Sequence, residues 1–381
     1  MTIARCRLLI AAQPLEAGVP RHVHDLLKHV DPARFAISVA CPRESELWGW
    51  LDAMPHVLRW PIAGERQPAV SDALDLARLV RLMHGADVVH AHSAKAGFLA
   101  RFGARLRGHA RKCVFTPHGW SFWSAGGGRA RFYAGLERAS ARWCRTIVTV
   151  SEHERRAGVE LGIGKPDQYR VVHNGVDPER FARAPAPHAM RVLFVGRLAP
   201  PKRPDLVVRA MARLARRFPG ALLQVAGDGP DRAALERTIG ELGIARRVQL
   251  LGKRDDVPAL LARASCMVLA SDYEACPLSV LEAKAAAVPV VATAVGGIPE
   301  IVEHDVDGLL VTPGSVDGLA AAIATLLAHP QRARAMGAMG RRNVLARHTS
   351  AQMVQRITAL YAEAVRQPQH ADVPDGAVGS P

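Results

Sequence analysis

Two carboxylates, Glu274 and Glu282, flank the stretch Ala275-Cys276-Pro277-Leu278-Ser279-Val280-Leu281. The apolar run Cys266-Met267-Val268-Leu269-Ala270 before them reads as a buried parallel strand, and the Ala-rich continuation after them reads as a helix. Pro277 fits the first helical position, where its missing N–H is harmless. Glu274 then lies in the loop, and Glu282 sits one to two turns into the helix, about 7.5 Å beyond Pro277 along its axis. Strand C-end, loop and helix N-terminus form the usual ligand corner of an open α/β sheet. A carboxylate pair at such a corner suits a hydrolase's acid and base, and equally suits acceptors for ligand hydroxyls.

A second loop carries the opposite charge. Gly196-Arg197-Leu198-Ala199-Pro200-Pro201-Lys202 follows the apolar run Arg191 to Val195. Two fixed cations at a strand C-end suit a pyrophosphate whose negative charge rises as it departs. Taken singly, each also reads as a solvated loop charge. Gly18, between the first strand and its helix, lets a backbone amide approach an anion near a helix N-terminus. Val295-Gly296-Gly297-Ile298-Pro299-Glu300 reads as another amide-rich anion site. His118, in Thr116-Pro117-His118-Gly119-Trp120, ends a strand where an imidazole can meet a hydroxyl or a phosphate. A lone histidine is more often structural, and His90, His92 and His173 carry that reading, as does Asn174. Gly227-Asp228-Gly229-Pro230 reads as a structural turn. No phosphate-binding P-loop and no dinucleotide glycine fingerprint follows a first strand. No nucleophile elbow, no His/Cys/Asp cluster at ligand spacing and no Asp-x-Asp occurs, so neither a metal nor any other cofactor is expected.

The elements that must hold these residues alternate. Strands are expected at Arg7 to Ala12, Ala36 to Ala40, Asp87 to His92, Lys112 to Pro117 and Thr146 to Ser151, with amphipathic helices such as Ser71 to Met83, Ala96 to Leu106 and Arg129 to Cys144 among them. After the Pro/Ala-rich segment Arg183-Ala184-Pro185-Ala186-Pro187 the alternation restarts. Strands follow at Arg191 to Val195, Leu222 to Ala226, Val248 to Leu251, Met267 to Ala270, Val290 to Ala292 and Leu309 to Val311. Continuous apolar strands in β-α alternation mean doubly wound parallel sheets. The expected division is a first domain over 1–183, a second over 184–366 that includes the closing helices, and a disordered Pro/Gly/Asp-rich tail over 367–381. Two such domains face each other across a cleft, where ligands bind.

At 381 residues and 49% hydrophobic content, the chain suits two globular cores. No apolar run approaches the ~20 residues that span a bilayer. Six cysteines without a CxxC pair argue for reduced thiols in the cytoplasm, not a disulfide frame or a zinc site. The net charge of +15 is concentrated: residues 95–156 hold thirteen Lys/Arg against three acids. Such an excess attracts phosphates, on nucleic acid or on an anionic membrane, although any single arginine there also reads as an ordinary solvated side chain.

Taken in order, these motifs resemble the family-4 retaining glycosyltransferases of the GT-B fold, and most of all bacterial members that build exopolysaccharide, capsule or lipopolysaccharide. The resemblance runs from about Arg7 to about Tyr361. It rests on Glu16 to His22, Val88 to Gly97, Thr116 to Trp120, Val150-Ser151, Asn174-Gly175-Val176-Asp177, Gly196-Arg197 with Lys202, Gly227 to Pro230, and Glu274 with Glu282. It implies two facing Rossmann-like domains, an acceptor-side first domain and a nucleotide-sugar-binding second domain. Arg197 and Lys202 would grip the donor diphosphate, with Gly196 in the same loop and Gly18 approaching from the first domain. Glu282 would hold the ribose, Glu274 the donor sugar, and Lys253-Arg254 would lie beside the base. The helix N-terminus Cys276-Pro277-Leu278-Ser279 would meet phosphate or sugar through its amides, and His118 the transferred sugar near its anomeric centre. The reaction implied is metal-independent transfer with retention, from a UDP-sugar first and GDP-mannose second, to a saccharide or polyprenyl-diphosphate-linked acceptor. The basic stretch 95–156 would dock on the inner membrane face. Two positions depart from the family pattern: Ala275-Cys276 stands where glycine and a bulky residue are usual, and Ala17-Gly18 where glycines are often paired.

Two other readings stay open on the residues alone. A nucleotide-sugar epimerase shares two facing α/β domains, but needs an acid/base pair that only Glu274 and His118 approach. A nucleic-acid binder would explain the charge, but no interleaved aromatic stacking pattern accompanies it, and no nucleic-acid partner is expected.

Overall fold

The computed structural model describes residues 5–16, 18–65, 67–181 and 190–366. Among the described residues, thirteen strands form two all-parallel sheets. In the first, β1 (Cys6–Ala12), β2 (Phe35–Cys41), β3 (Val57–Pro61), β4 (Val88–His92), β5 (Cys113–Thr116), β6 (Thr146–Thr149) and β7 (Tyr169–Val171) take the order β3-β2-β1-β4-β5-β6-β7. In the second, β8 (Arg191–Val195), β9 (Leu222–Ala226), β10 (Val248–Gly252), β11 (Cys266–Leu269), β12 (Val290–Thr293) and β13 (Gly308–Val311) take the order β10-β9-β8-β11-β12-β13. Both are the doubly wound, Rossmann-like arrangement. Strand order reverses between β1 and β4, and between β8 and β11. Loops leaving those neighbouring strands diverge to opposite faces and open a crevice at their C-ends. The Arg197–Lys202 loop leaves β8 and the Glu274 loop leaves β11, so topology alone brings them together.

The strands form where the chain is continuously apolar because both sheet faces are covered. Every residue of β11 and β12 is buried. β3 and β7 are the exceptions: they are the edge strands of the first sheet, β3 buried at Val57 and exposed at Leu58, Arg59 and Trp60, β7 buried at Tyr169 and exposed at Arg170. Their hydrophobic signal is therefore weak, and neither is among the expected strands.

The final helix, Ser350–Arg366, differs from expectation. It was placed with the second domain, yet Met353, Val354, Ile357, Leu360, Tyr361 and Ala364 pack in one core with Leu8, Ile10, Val88 and Val114 of the first sheet. The Tyr361 hydroxyl lies 2.6 Å from His90 Nδ1, and His90 Nε2 lies 2.8 Å from the Thr116 hydroxyl. An amphipathic stripe states that a helix covers something, but not which sheet.

The chain therefore passes between the two units twice, at Asn174–Val176 and at His348–Ser350, and the two passages lie side by side. Val176 N–H donates to the His348 carbonyl at 3.0 Å and Ser350 N–H to the Val176 carbonyl at 2.9 Å. A Cβ on Gly175 would stand 2.5 Å from the Thr349 carbonyl oxygen, so only glycine permits this approach. The expected boundary at 183/184, its Pro/Ala segment and the 367–381 tail all lie outside the described residues.

Candidate active site

A cleft of about 610 Å³ opens between the two units. Every residue expected at the site lines it: Gly18, His118, Gly196, Arg197, Lys202, Lys253, Arg254, Glu274, Cys276, Pro277, Leu278, Ser279 and Glu282. They come from the loop after β8, the loop after β10, the β11 corner, the start of helix Gly18–His29 and the loop after β5.

At the β11 corner the Glu274 side chain is 10% exposed. Lys202 Nζ donates to its Oε1 at 2.6 Å, and so does the Ser271 hydroxyl, also at 2.6 Å. Asp272 N–H donates to the Pro201 carbonyl at 2.9 Å, joining the two loops directly. Gly296 and Gly297, read from sequence as an anion site, have a different task. Gly297 N–H donates to the Glu274 carbonyl at 3.0 Å, and a Cβ on either glycine would collide with the backbone oxygens of Glu274 or Ala275. Their small size lets the next β-α unit brace the Glu274 loop from behind, and neither glycine lines the cleft.

The helix carrying Glu282 begins at Leu278, with Pro277 in the N-cap position at φ −70° and ψ 121°. Pro277 is thus one residue outside the helix rather than its first member. Its extended ψ turns the chain out of the corner and leaves the Leu278 and Ser279 end facing the cleft. Burial pushes the Glu282 pKa up, against the pull of Arg180 and Arg21. Neither arginine was foreseen. Arg21 reaches the cleft from the first helix and Arg180 from the turn just after the chain has passed into the second unit, and no local pattern links them to Glu282.

Three polar contacts join the two units. Lys253 Nζ lies 2.5 Å from Glu46 Oε1, and Arg197 Nε 3.8 Å from Glu16 Oε1. Both cross between the units through exposed side chains, and exposed pairs contribute ~0–1 kcal/mol. An incoming polyanion can displace them readily. The third, on Glu300, is firmer: its carboxylate accepts from the Glu152 and His153 amides at 2.7 Å each and lies 2.9 Å from His173 Nε2. Burial raises the Glu300 pKa, but His173 and the two amides outweigh it and hold the group below the usual carboxylate range.

His118 sits in the cleft wall at φ +58°. Its Nε2 lies 2.9 Å from His92 Nδ1, and its ring packs edge-on to His22, with centroids 4.6 Å apart. Asn174 links this cluster to the donor corner: its Nδ2 donates to the Cys276 carbonyl at 2.7 Å, and its Oδ1 accepts from His22 Nδ1–H at 2.9 Å. Asn174 is thus a cleft residue and not merely structural. The three histidines come from separate β-α units, which is why no ligand-like spacing shows in the sequence. The Cys276 thiol is 5% exposed and pushed up to about 12 by burial, so it packs as a small apolar group.

Behind His118, Glu154 is fully buried and accepts from Gly119 N–H at 2.5 Å and Val150 N–H at 2.7 Å. Burial raises its pKa from 4.5 to about 7 despite those donors. The folded state therefore holds this proton more tightly than the unfolded chain. Stability from this group is complete below about pH 4.5 and is lost as pH rises through about 7. The expected loss is about 3 kcal/mol. Melting temperatures of wild type and Glu154→Gln across pH 5 to 8 should show the wild type falling more steeply; parallel curves would contradict this.

The profile of "Glycosyltransferase Family 4" matches residues 17–180 and that of "Glycosyl transferases group 1" residues 177–343. The chain belongs to the family-4 glycosyltransferases of the GT-B fold and is a glycosyltransferase. It is 26% identical, over 81% of its length and 84% of the relative's, to the Escherichia coli UDP-Gal:alpha-D-GlcNAc-diphosphoundecaprenol alpha-1,3-galactosyltransferase. It is 34% identical, over 52% of its length and 57% of the relative's, to the GDP-mannose-dependent alpha-(1-6)-phosphatidylinositol monomannoside mannosyltransferase of Mycobacterium tuberculosis. Among solved structures it is similar to Anabaena HepE in complex with UDP and glucose, with TM-score 0.82 and 22% identity over 94% of this chain and 100% of that one. That likeness concerns the fold.

Proposed function

We propose that this chain moves a sugar from a nucleotide-sugar donor, a UDP-sugar before GDP-mannose, with retention and without a metal ion, to a saccharide or polyprenyl-diphosphate-linked acceptor in cell-surface polysaccharide synthesis. The observation that carries this reading is the convergence of Lys202, Arg197, Glu274, Glu282 and His118 on one cleft. Lys202 and Arg197 neutralise the departing diphosphate, Glu282 accepts from the ribose hydroxyls, and Glu274, fixed by Lys202 and Ser271, orients the sugar. Lys253 and Arg254 lie beside the base, with Lys253 leaving Glu46 to do so. The acceptor hydroxyl forms the new bond on the face the nucleotide leaves, its proton passes to the departing phosphate, and the protein supplies orientation and charge stabilisation. The E. coli relative's use of a diphosphoundecaprenol-linked acceptor supports the acceptor class.

A thermal-shift screen of UDP, GDP and their sugars tests the donor. The expected result is a stabilisation of about 2.7 kcal/mol at a hundred times Kd, for UDP and its sugars above GDP. No shift with any nucleotide would end the reading. Incubation with donor alone separates transfer from epimerisation, since an epimerised nucleotide sugar formed without acceptor favours the latter.

Membrane docking through 95–156 belongs to the same proposal, with the chain acting at the cytoplasmic face. Part of that charge is already engaged: Arg101 is buried against Glu137 at 2.7 Å, Lys95 pairs with Asp72 at 2.5 Å, and Arg155 pairs with Glu152 at 2.5 Å. Arg129 and Arg131 remain exposed beside Phe132, which is 65% exposed. No helix among the described residues is long and apolar enough to cross a membrane. Binding to anionic vesicles that is lost in high salt is expected, and should weaken in Arg129→Ala/Arg131→Ala. Salt-independent binding, or none, would remove this part.

A further inference from the structure

The histidine cluster under the cleft has a feature that donor binding does not use. His22 and His92 are 2% and 0% exposed, yet the Nε2 of each has no hydrogen-bond partner among the described residues. Buried imidazole nitrogens are ordinarily satisfied, so two unpartnered ones side by side call for an explanation. The tautomer of His22 follows from its neighbours. Asn174 must turn its Nδ2 to the Cys276 carbonyl, so its oxygen faces His22, and the His22 proton sits on Nδ1. His22 Nε2 therefore carries a bare lone pair. The nearby His92 Nδ1 and His118 Nε2 share a single proton across 2.9 Å.

We propose that His22, His92 and His118 form a binding site for a borderline divalent transition-metal ion of the Zn²⁺ type, and that its occupancy withdraws His118 from the cleft and shuts sugar transfer down. One nitrogen from each of the three lies within 4.8 Å of the others. Their ring centroids are 4.6, 5.2 and 5.6 Å apart. Three imidazoles on one tetrahedral ion, with metal–nitrogen bonds of about 2.1 Å, hold their centroids roughly 5 Å apart. One nitrogen of each ring thus lies within reach of a shared ion; the ion takes the place between His92 Nδ1 and His118 Nε2, and the displaced proton moves to the far nitrogen of its own ring, which stays neutral. Neutral imidazole is the ligating form, and with its proton on Nδ1 His22 offers Nε2 to an ion. The Asn174 oxygen on His22 Nδ1–H is the kind of outer partner that orients a ligating histidine. His118 lines the cleft, which supplies both the entry path and an open fourth position for water or an anion. Three nitrogens without a carboxylate select zinc, cobalt, nickel or copper over magnesium or calcium. The ion would not replace Lys202 and Arg197, the cations of transfer; the site meets the cleft through His118 alone.

The shut-down half rests on the proposed role of His118; the binding half does not. Metal-free protein titrated with Co²⁺ should develop a visible d–d band saturating at one equivalent, which Zn²⁺ abolishes and Mg²⁺ leaves intact. His22→Gln and His92→Gln should each weaken Co²⁺ binding by a hundred-fold or more, and Asn174→Ala by about 10- to 100-fold. Absence of a one-equivalent band in the wild type overturns the site whether or not the variants fold. Unchanged affinity in both folded histidine variants overturns it as well. Transfer assays at graded Zn²⁺ should lose activity in step with occupancy, and full occupancy with unimpaired transfer overturns the shut-down. If metal-free protein shows the cobalt band but no transfer with any nucleotide sugar, the donor reading has failed and the metal site stands.

Discussion

Replacing Lys202 by alanine should lower kcat/KM for sugar transfer roughly a thousand-fold, a larger loss than any other single substitution in the cleft. Lys202 is 21% exposed at its side chain and bonds Glu274, which is 10% exposed, at 2.6 Å. Two consequences follow from that geometry. A preorganised cation is removed from the place where the departing diphosphate gains charge, and in a water-poor cleft such a group contributes far more than it would in water. Glu274 also loses its counter-ion and keeps the Ser271 hydroxyl as its side-chain donor. A carboxylate left this way repels an anionic donor. The substitution should therefore raise KM as well as lower kcat. Arg197→Ala should do less, because Arg197 is 37% exposed and its contact with Glu16 is long, at 3.8 Å. Steady-state kinetics on both variants, with circular dichroism to confirm folding, is the check. A Lys202→Ala enzyme within a few fold of wild type would remove Lys202 from the diphosphate site.

Much of this cleft was legible before any coordinates, for a reason rooted in fold physics. Parallel strands buried on both faces are written as short apolar runs, so β8 and β9 were located to the residue. Once strands are known, the residues just beyond their C-ends are the candidates for chemistry. Arg197, Lys202, Glu274 and Glu282 were found that way. Contacts made by chain crossing were not legible. His22, His92 and His118 belong to three β-α units and meet only because β4 and β5 are neighbours under helix Gly18–His29. Arg21, on the first helix, and Arg180, just past the passage into the second unit, converge on Glu282 from positions 159 residues apart. The final helix carries an apolar stripe that would suit either sheet, and its return to the first one depends on the paired passages at Val176 and Thr349. Gly296-Gly297 misled in a more instructive way. Two glycines before a short helix look like an anion cradle, but the same absence of side chains serves close packing of one loop on another.

The two carboxylates of the β11 corner should separate in kinetics. Glu282→Ala should weaken nucleotide binding about ten- to a hundred-fold, because a charge-assisted hydrogen bond to ribose, at about 1.5–3 kcal/mol, is lost. Its kcat at saturating donor should change little, since ribose stays put as the sugar bond breaks and uniform binding affects KM alone. Glu274→Ala should behave the opposite way. Its carboxylate is held by Lys202 and Ser271 in a corner braced by Gly297 N–H, so its position is fixed before donor arrives. A group held that rigidly next to the reacting sugar acts by alignment, and misalignment of about 1 Å can cost a hundred-fold in rate. Its kcat should fall about a hundred-fold, while UDP affinity, measured by calorimetry, stays within a few fold of wild type. Raised freedom of Lys202 in this variant should even favour the diphosphate slightly. Wild-type turnover in both variants would refute both roles. A Glu274→Ala enzyme that loses UDP affinity in proportion to its rate would make Glu274 a nucleotide ligand instead, leaving Ala275-Cys276, with its carbonyl on Asn174, as the part of the corner that meets the sugar.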